Sequence, residues 1–251
     1  MSRAPTGAND CFTVTCNIVV APLHLLRTVH EGVLDAGELA RAERFRQRAD
    51  RTRFVTGAAL ARAAVGWEVG EPPHGVSLDR TCPDCGEPHG KPRVAGYDVE
   101  ISIAHSGDLV AVAWSRAAAV GIDIESLRSR PADHAELAPS VCSAEEIDAI
   151  TDWSSFLTCW TRKEAVLKAT GDGLRLPMTE VVVSAPHDPP TLLAFPSDPM
   201  PACSLASLDV GPDHVGAVAV LTATPVTISV RDAASMLLDE LRWSPGSGGR
   251  T

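Results

Sequence analysis

One alternating stretch constrains this chain more than any other: Val120-Gly-Ile-Asp-Ile-Glu125, in which apolar and acidic residues exchange places near its end. A period of two belongs to a strand with one face in the core. Val120, Ile122 and Ile124 then share the buried face, and Asp123 and Glu125 share the other. A second stretch has helical spacing. Phe156, Trp160, Glu164 and Leu167 follow one another at steps of four, four and three, which sets Glu164 within an apolar stripe. An ionised carboxylate there is costly unless a positive charge faces it. A hard divalent cation held jointly by Asp123, Glu125 and Glu164 meets that need, so the fold must bring this strand and this helix together.

Glu38 to Val65 is rich in Ala and Arg and reads as helix, with Gly57 either dividing it or marking a close-packed point. Gly70 to Gly96 reads as loop. Val99 to Ala104, Leu109 to Ser115 and Ala119 to Glu125 read as three strands of an antiparallel meander. Ser143-Ala-Glu-Glu146 is a capping box, and Gly171 marks the end of the helix that carries Glu164. Strands follow at Thr179 to Ala185, Cys203 to Val210 and His214 to Thr222, then an amphipathic helix from Arg231 to Trp243. This order predicts an α+β protein of two similar halves, each a small, mostly antiparallel sheet packed with helices. The halves are expected at 11–120 and 121–243, with flexible ends at 1–10 and 244–251.

With 45% hydrophobic and 22% charged residues, the chain has the composition of a globular protein. A net charge of −10 argues against general nucleic-acid binding. Seven cysteines without a recognisable secretory leader point to reduced thiols and a cytoplasmic location. The apolar run from Ile18 to Leu26 contains Pro22 and His24 and is too short to span a membrane.

Gly121-Ile-Asp-Ile-Glu125 together with Trp160-Thr-Arg-Lys-Glu-Ala-Val-Leu-Lys168 resembles the signature pair of the 4′-phosphopantetheinyl transferases, in the larger single-chain form associated with secondary-metabolite synthases. Ile101-Ser-Ile-Ala-His-Ser-Gly107, His89-Gly-Lys-Pro92 and the stretch from Arg44 through Arg53 to Gly57 resemble further motifs of that family, in the same order. The resemblance implies transfer of the phosphopantetheine arm of coenzyme A to a serine of an acyl or peptidyl carrier protein, with release of 3′,5′-adenosine bisphosphate. It implies Mg²⁺ on Asp123, Glu125 and Glu164, with Glu164 also the candidate proton acceptor. Lys168 would act on the pyrophosphate, and Lys163 and His105 would touch phosphate. Arg48 and Arg53 would lie near the 3′-phosphate, and Lys91 on the adenine side. Two halves in one chain make a monomer sufficient. Ala104 departs from the family, many of whose members carry a serine before the motif histidine. An acidic enzyme meeting an acidic carrier calls for a local apolar patch, expected between Glu125 and Ile150.

The same carboxylates would also suit a metal-dependent pyrophosphohydrolase acting on coenzyme A or another nucleotide, the alternative enzyme class. Cys82-Pro-Asp-Cys85 with His89 could begin a zinc site, with His74 as a further ligand, but a second ligand pair is missing. The stretch is therefore read as a tight turn that positions Gly90-Lys91-Pro92.

Overall fold

The computed structural model describes residues 12–130 and 133–239. In chain order the elements are β1 (Val14–Pro22), α1 (Ala36–Glu43), α2 (Arg48–Val69), β2 (Leu78–Asp79), β3 (Arg93–Val94), β4 (Glu100–Ser106), β5 (Leu109–Ser115) and β6 (Val120–Ser126). They continue with α3 (His134–Val141), α4 (Ala144–Ile147), α5 (Trp153–Thr170), β7 (Val182–Val183), β8 (Leu192–Ala194), β9 (Ser204–Ser207), β10 (His214–Val220), β11 (Val226–Arg231) and α6 (Ala233–Asp239). The expected ends at 1–10 and 244–251, and the last residues of the expected final helix, lie outside the described residues.

The layers follow from alternation. On β5, Val110, Val112 and Trp114 pack with α2, whereas Ala111 and Ala113 face Ile122, Ile124 and Val218 of the neighbouring sheet. On β10 the parity repeats: Val218 and Val220 join the layer between the sheets, and Ala217 and Ala219 lie under α5. The elements thus stack as helix, sheet, sheet, helix, with α2 and α5 outermost. On β5 the large side chains meet the helix, whereas on β10 the alanines lie under α5 and the valines separate the sheets. This is an α+β architecture of small sheets packed with helices.

Two expectations need correction. First, the meander does not form. One six-stranded sheet runs β11-β1-β5-β4-β3-β2, and β6 starts a second, ordered β6-β10-β9. β6 stays beside β4 through hydroxyls: Ile122 donates its N–H to Ser102 Oγ (3.1 Å) and Ser126 to Ser106 Oγ (3.0 Å). Alternation identifies the buried face of a strand but not its neighbour. Second, Val226 to Arg231 is a strand, paired in parallel with β1, and the final helix starts only at Ala233. Residues 226–239 therefore attach to the first sheet, across the expected boundary at 120. As a half-exposed edge strand, β11 lacks the apolar run that marks a buried one. Of the two readings of Gly57, the close-packed point holds: it lies against Ile103 and Val110 inside a continuous α2, and the helical break falls between Glu43 and Arg48.

Gly121 sets how closely α5 approaches β6. A Cβ there would lie 1.9 Å from the carbonyl oxygen of Ala165 and 2.4 Å from the amide nitrogen of Ala169. Backbone cannot rotate away as a side chain can, so Gly121→Ala must push the helix off the strand. Overpacking of this kind costs about 1–3 kcal/mol where side chains absorb it, and here it should exceed that range. The expected result is a lowered denaturant midpoint together with lost activity. A midpoint equal to that of the parent protein would contradict the close approach.

Candidate functional site

Because Gly121 admits α5 closely, the acidic face of β6 lies under the side of the helix that carries Glu164 and Lys168. Lys168 does not pair with Glu164, the neighbour that helical spacing offers it. Its Nζ donates to Asp123 Oδ1 at 2.5 Å, tying helix to strand. The Asp123 side chain is 6% exposed, and its Oδ2 is buried without a hydrogen-bond partner. Such an atom is costly to bury, and a cation is the simplest group that would satisfy it.

Glu125 is held from β4. Ser106 Oγ donates to Glu125 Oε2 at 2.7 Å while accepting from the Ser126 amide. Ser106 stands within the quoted motif, but a polar residue beside a turn gives no sign in sequence that it orients a carboxylate two elements away. Glu164 is half-buried, and its carboxylate has no hydrogen-bond partner among the described residues.

Burial raises all three carboxyl groups above their ordinary range. For Asp123, desolvation is opposed by Lys168. For Glu125, desolvation is opposed by the Ser106 hydroxyl and reinforced by Asp123 and Glu164. For Glu164, desolvation is opposed by Lys168 and reinforced by Asp123. The three therefore share one electrostatic neighbourhood. They do not form a tight triplet: among the described residues, the clusters with three ligand atoms all within 4.8 Å of one another are Cys82/Cys85/His89 and Cys142/Glu146/Cys159. Asp123 is engaged by Lys168 and Glu125 by Ser106. The orphaned Asp123 oxygen and the all-oxygen donor set still fit a hard cation such as Mg²⁺.

The cationic side of the site comes from the first sheet and α2. Arg53 donates from Nε to the carbonyl of Gly107 (2.8 Å) and from a terminal nitrogen to Asp50 (2.8 Å), which fixes its guanidinium at the β4–β5 turn. His105, on the same turn, has its pKa lowered, by desolvation first and then by Lys168 and Arg53. Arg48 is exposed at the first turn of α2. Lys91 donates to Glu100 Oε2 (2.7 Å) and to the carbonyl of Ala169 (2.9 Å), one residue beyond Lys168. A hollow of about 1000 Å³ is lined by Lys91, Glu100 and Ala169 among others, and by none of the three carboxylates. It lies at the last turn of α5, adjoining the charged site rather than containing it.

One expectation fails on geometry. Lys163 does not face the site. It is fully buried, and Nζ donates to Glu146 Oε2 (2.5 Å), the Val141 carbonyl (2.7 Å) and the Met178 carbonyl (2.9 Å). All three donors are used inside the protein, so none is left for phosphate. The Glu146 partner sits in the capping box read from sequence, whose spacing signalled a helix start but not a buried ion pair. Ala104 is 4% exposed in the layer between the sheets, where its methyl group packs as core.

The family model for the 4′-phosphopantetheinyl transferase superfamily matches residues 119–219. The chain is 33% identical over 198 residues to 4′-phosphopantetheinyl transferase HetI of Nostoc sp. (strain PCC 7120), covering 74% of this chain and 78% of that protein. It is 28% identical over 191 residues to a 4′-phosphopantetheinyl transferase of Bacillus subtilis, covering 74% and 81%. It is also 27% identical over 185 residues to 4′-phosphopantetheinyl transferase Sfp of Bacillus subtilis (strain 168), covering 71% and 78%.

Proposed function

This chain belongs to the 4′-phosphopantetheinyl transferase superfamily, and from that premise we propose that it transfers the 4′-phosphopantetheine group of coenzyme A to a serine of an apo acyl or peptidyl carrier protein. The observation that carries the reading is the meeting of an acidic set (Asp123, Glu125, Glu164) with a basic set (Lys168, Arg53, and His105 beside them) where β4, β6 and α5 come together. The relatives found are named as transferases, and nothing favours the pyrophosphohydrolase alternative.

In this reading the serine oxygen attacks the phosphorus that carries the pantetheine arm. A new P–O bond forms, the pyrophosphate P–O bond breaks, and 3′,5′-adenosine bisphosphate leaves with the electron pair. Asp123, Glu125 and Glu164 would hold Mg²⁺, which when bound offsets charge on the pyrophosphate oxygens. Lys168, anchored on Asp123, adds a fixed positive charge against the leaving phosphate. Glu164, without a hydrogen-bond partner of its own and with a raised pKa, is the candidate to accept the serine proton. Both halves of the site come from one chain, which supports action as a monomer. The six described cysteines are free, which agrees with a reducing, cytoplasmic setting. No described helix is long and apolar enough to cross a membrane. The test is intact-mass measurement of several apo-carriers after incubation with the protein, Mg²⁺ and coenzyme A. A carrier that gains one phosphopantetheine supports the proposal, and release of phosphopantetheine without any carrier would favour hydrolysis.

Arg53 is proposed to bind the 3′-phosphate together with Arg48, and Lys91 to shape the adenine side. Losing a charge-assisted contact made equally in ground and transition states raises KM and spares kcat. Arg53→Ala should therefore raise the KM for coenzyme A by roughly 10-fold or more. With dephospho-coenzyme A, the parent protein should already show the higher KM and the substitution should add little. An equal loss on both substrates would remove the 3′-phosphate role.

A further inference from the structure

The segment from Arg80 to Lys91 contains a cluster that the transfer reaction does not use. Sγ of Cys82, Sγ of Cys85 and a ring nitrogen of His89 lie within 4.8 Å of one another, with Cys85 Sγ 2.9 Å from His89 Nε2. The turn closes on Cys82: the Gly86 amide donates to the Cys82 carbonyl at 2.9 Å. Gly86 follows with φ of 77°, a conformation that favours glycine.

The base of the loop is closed as well. Cys82 N–H donates to the Glu87 carbonyl (2.8 Å), His89 N–H to the same carbonyl (2.9 Å), and Gly90 N–H to the Arg80 carbonyl (2.7 Å). These bonds bring His89 back over the Cys-x-x-Cys turn, so the histidine that the sequence offers beside the two cysteines does meet them.

We infer that Cys82, Cys85 and His89 bind a single Zn²⁺, which staples the loop leading into Lys91. Two thiolates and an imidazole are a soft donor set that selects zinc over the hard cation suited to Asp123 and Glu164. Ligand atoms around tetrahedral zinc stand roughly 3.3–3.8 Å apart, so the Cys85–His89 pair needs to open by less than an ångström. Cys85 and His89 are exposed, which leaves the fourth position to solvent. The staple would tie together contacts that this loop makes on both sides: Arg41 to the Pro88 carbonyl from α1, and Arg175 to Asp84 from beyond α5. Its role is to hold Lys91 between Glu100 and the end of α5, and the claim does not depend on the transferase reading.

The experiment is elemental analysis and native mass spectrometry of the full chain, produced without a histidine tag, desalted under reductant, and titrated with Zn²⁺ and Co²⁺. The expected result is one Zn²⁺ per chain, retained by Cys203→Ser and lost from both Cys85→Ser and His89→Asn. Co²⁺ should give intense tetrahedral d–d bands and a thiolate charge-transfer band in the parent protein and in Cys203→Ser, and in neither Cys85→Ser nor His89→Asn. Three results would each overturn the inference. One is a protein that takes up neither metal while its thiols titrate as reduced. Another is a Cys82–Cys85 disulfide that persists under reductant. The third is zinc that stays in both variants, which would place it at the carboxylates or at Cys142/Glu146/Cys159.

Discussion

Asp123→Ala is expected to abolish metal-dependent transfer, with a fall of more than about 100-fold in kcat/KM, beyond what removal of a mere outer-shell partner costs. Two features of this side chain are lost together. Oδ2 is the buried oxygen without a partner, and Oδ1 anchors Lys168 against the strand. The substitution therefore removes a proposed ligand and frees the ammonium that should face the leaving phosphate. Folding should survive, because the carboxyl of Asp123 is itself costly to bury and truncation relieves that cost. Transfer to an apo-carrier, followed by intact mass across a Mg²⁺ titration, gives the readout, and circular dichroism checks the fold. Turnover within a few-fold of the parent protein would remove Asp123 from the chemistry.

Lys163→Met should have the largest effect on stability. Met matches the length of the side chain but donates nothing, so Glu146 keeps a buried negative charge and the Val141 and Met178 carbonyls lose their shared donor. Breaking a buried ion pair from one side costs about 3–5 kcal/mol. The amides of Ser143 and Val183 still donate to Glu146, which argues for the lower part of that range. Denaturant unfolding of Lys163→Met, Glu146→Gln and the double variant should show the second change costing far less once the first is made. At permissive temperature, the folded fraction of Lys163→Met should keep its KM for coenzyme A. A selective rise in KM, with stability unchanged, would return Lys163 to the phosphate site.

These two lysines show where sequence reading reaches its limit. Lys163 and Lys168 stand on the same helix within five residues, and both were candidates for phosphate contact. α5 has one face against β6 and β10 and another against α3 and the chain around Met178. Lys168 opens toward Asp123, whereas Lys163 points into the second packing. Helical spacing gives the angle between two side chains but not what lies opposite each. Ser106 illustrates the same limit, since it acquires its role from β6.

The sequence by itself determined the strand-like alternation around Asp123, the helix ending at Gly171, the order of family motifs and the α+β class, because these depend on local periodicity and on residue types at fixed offsets. Only the tertiary structure decided that β6 leaves the first sheet, that β11 returns to it, that Lys168 anchors on Asp123 while Lys163 is consumed inside, and that His89 meets Cys82 and Cys85. Each of these is a contact between segments whose approach is fixed by packing. Close packing such as that at Gly121, where a helix rests on a strand with no room for a methyl group, is a property of the assembled layers and of no single stretch of chain.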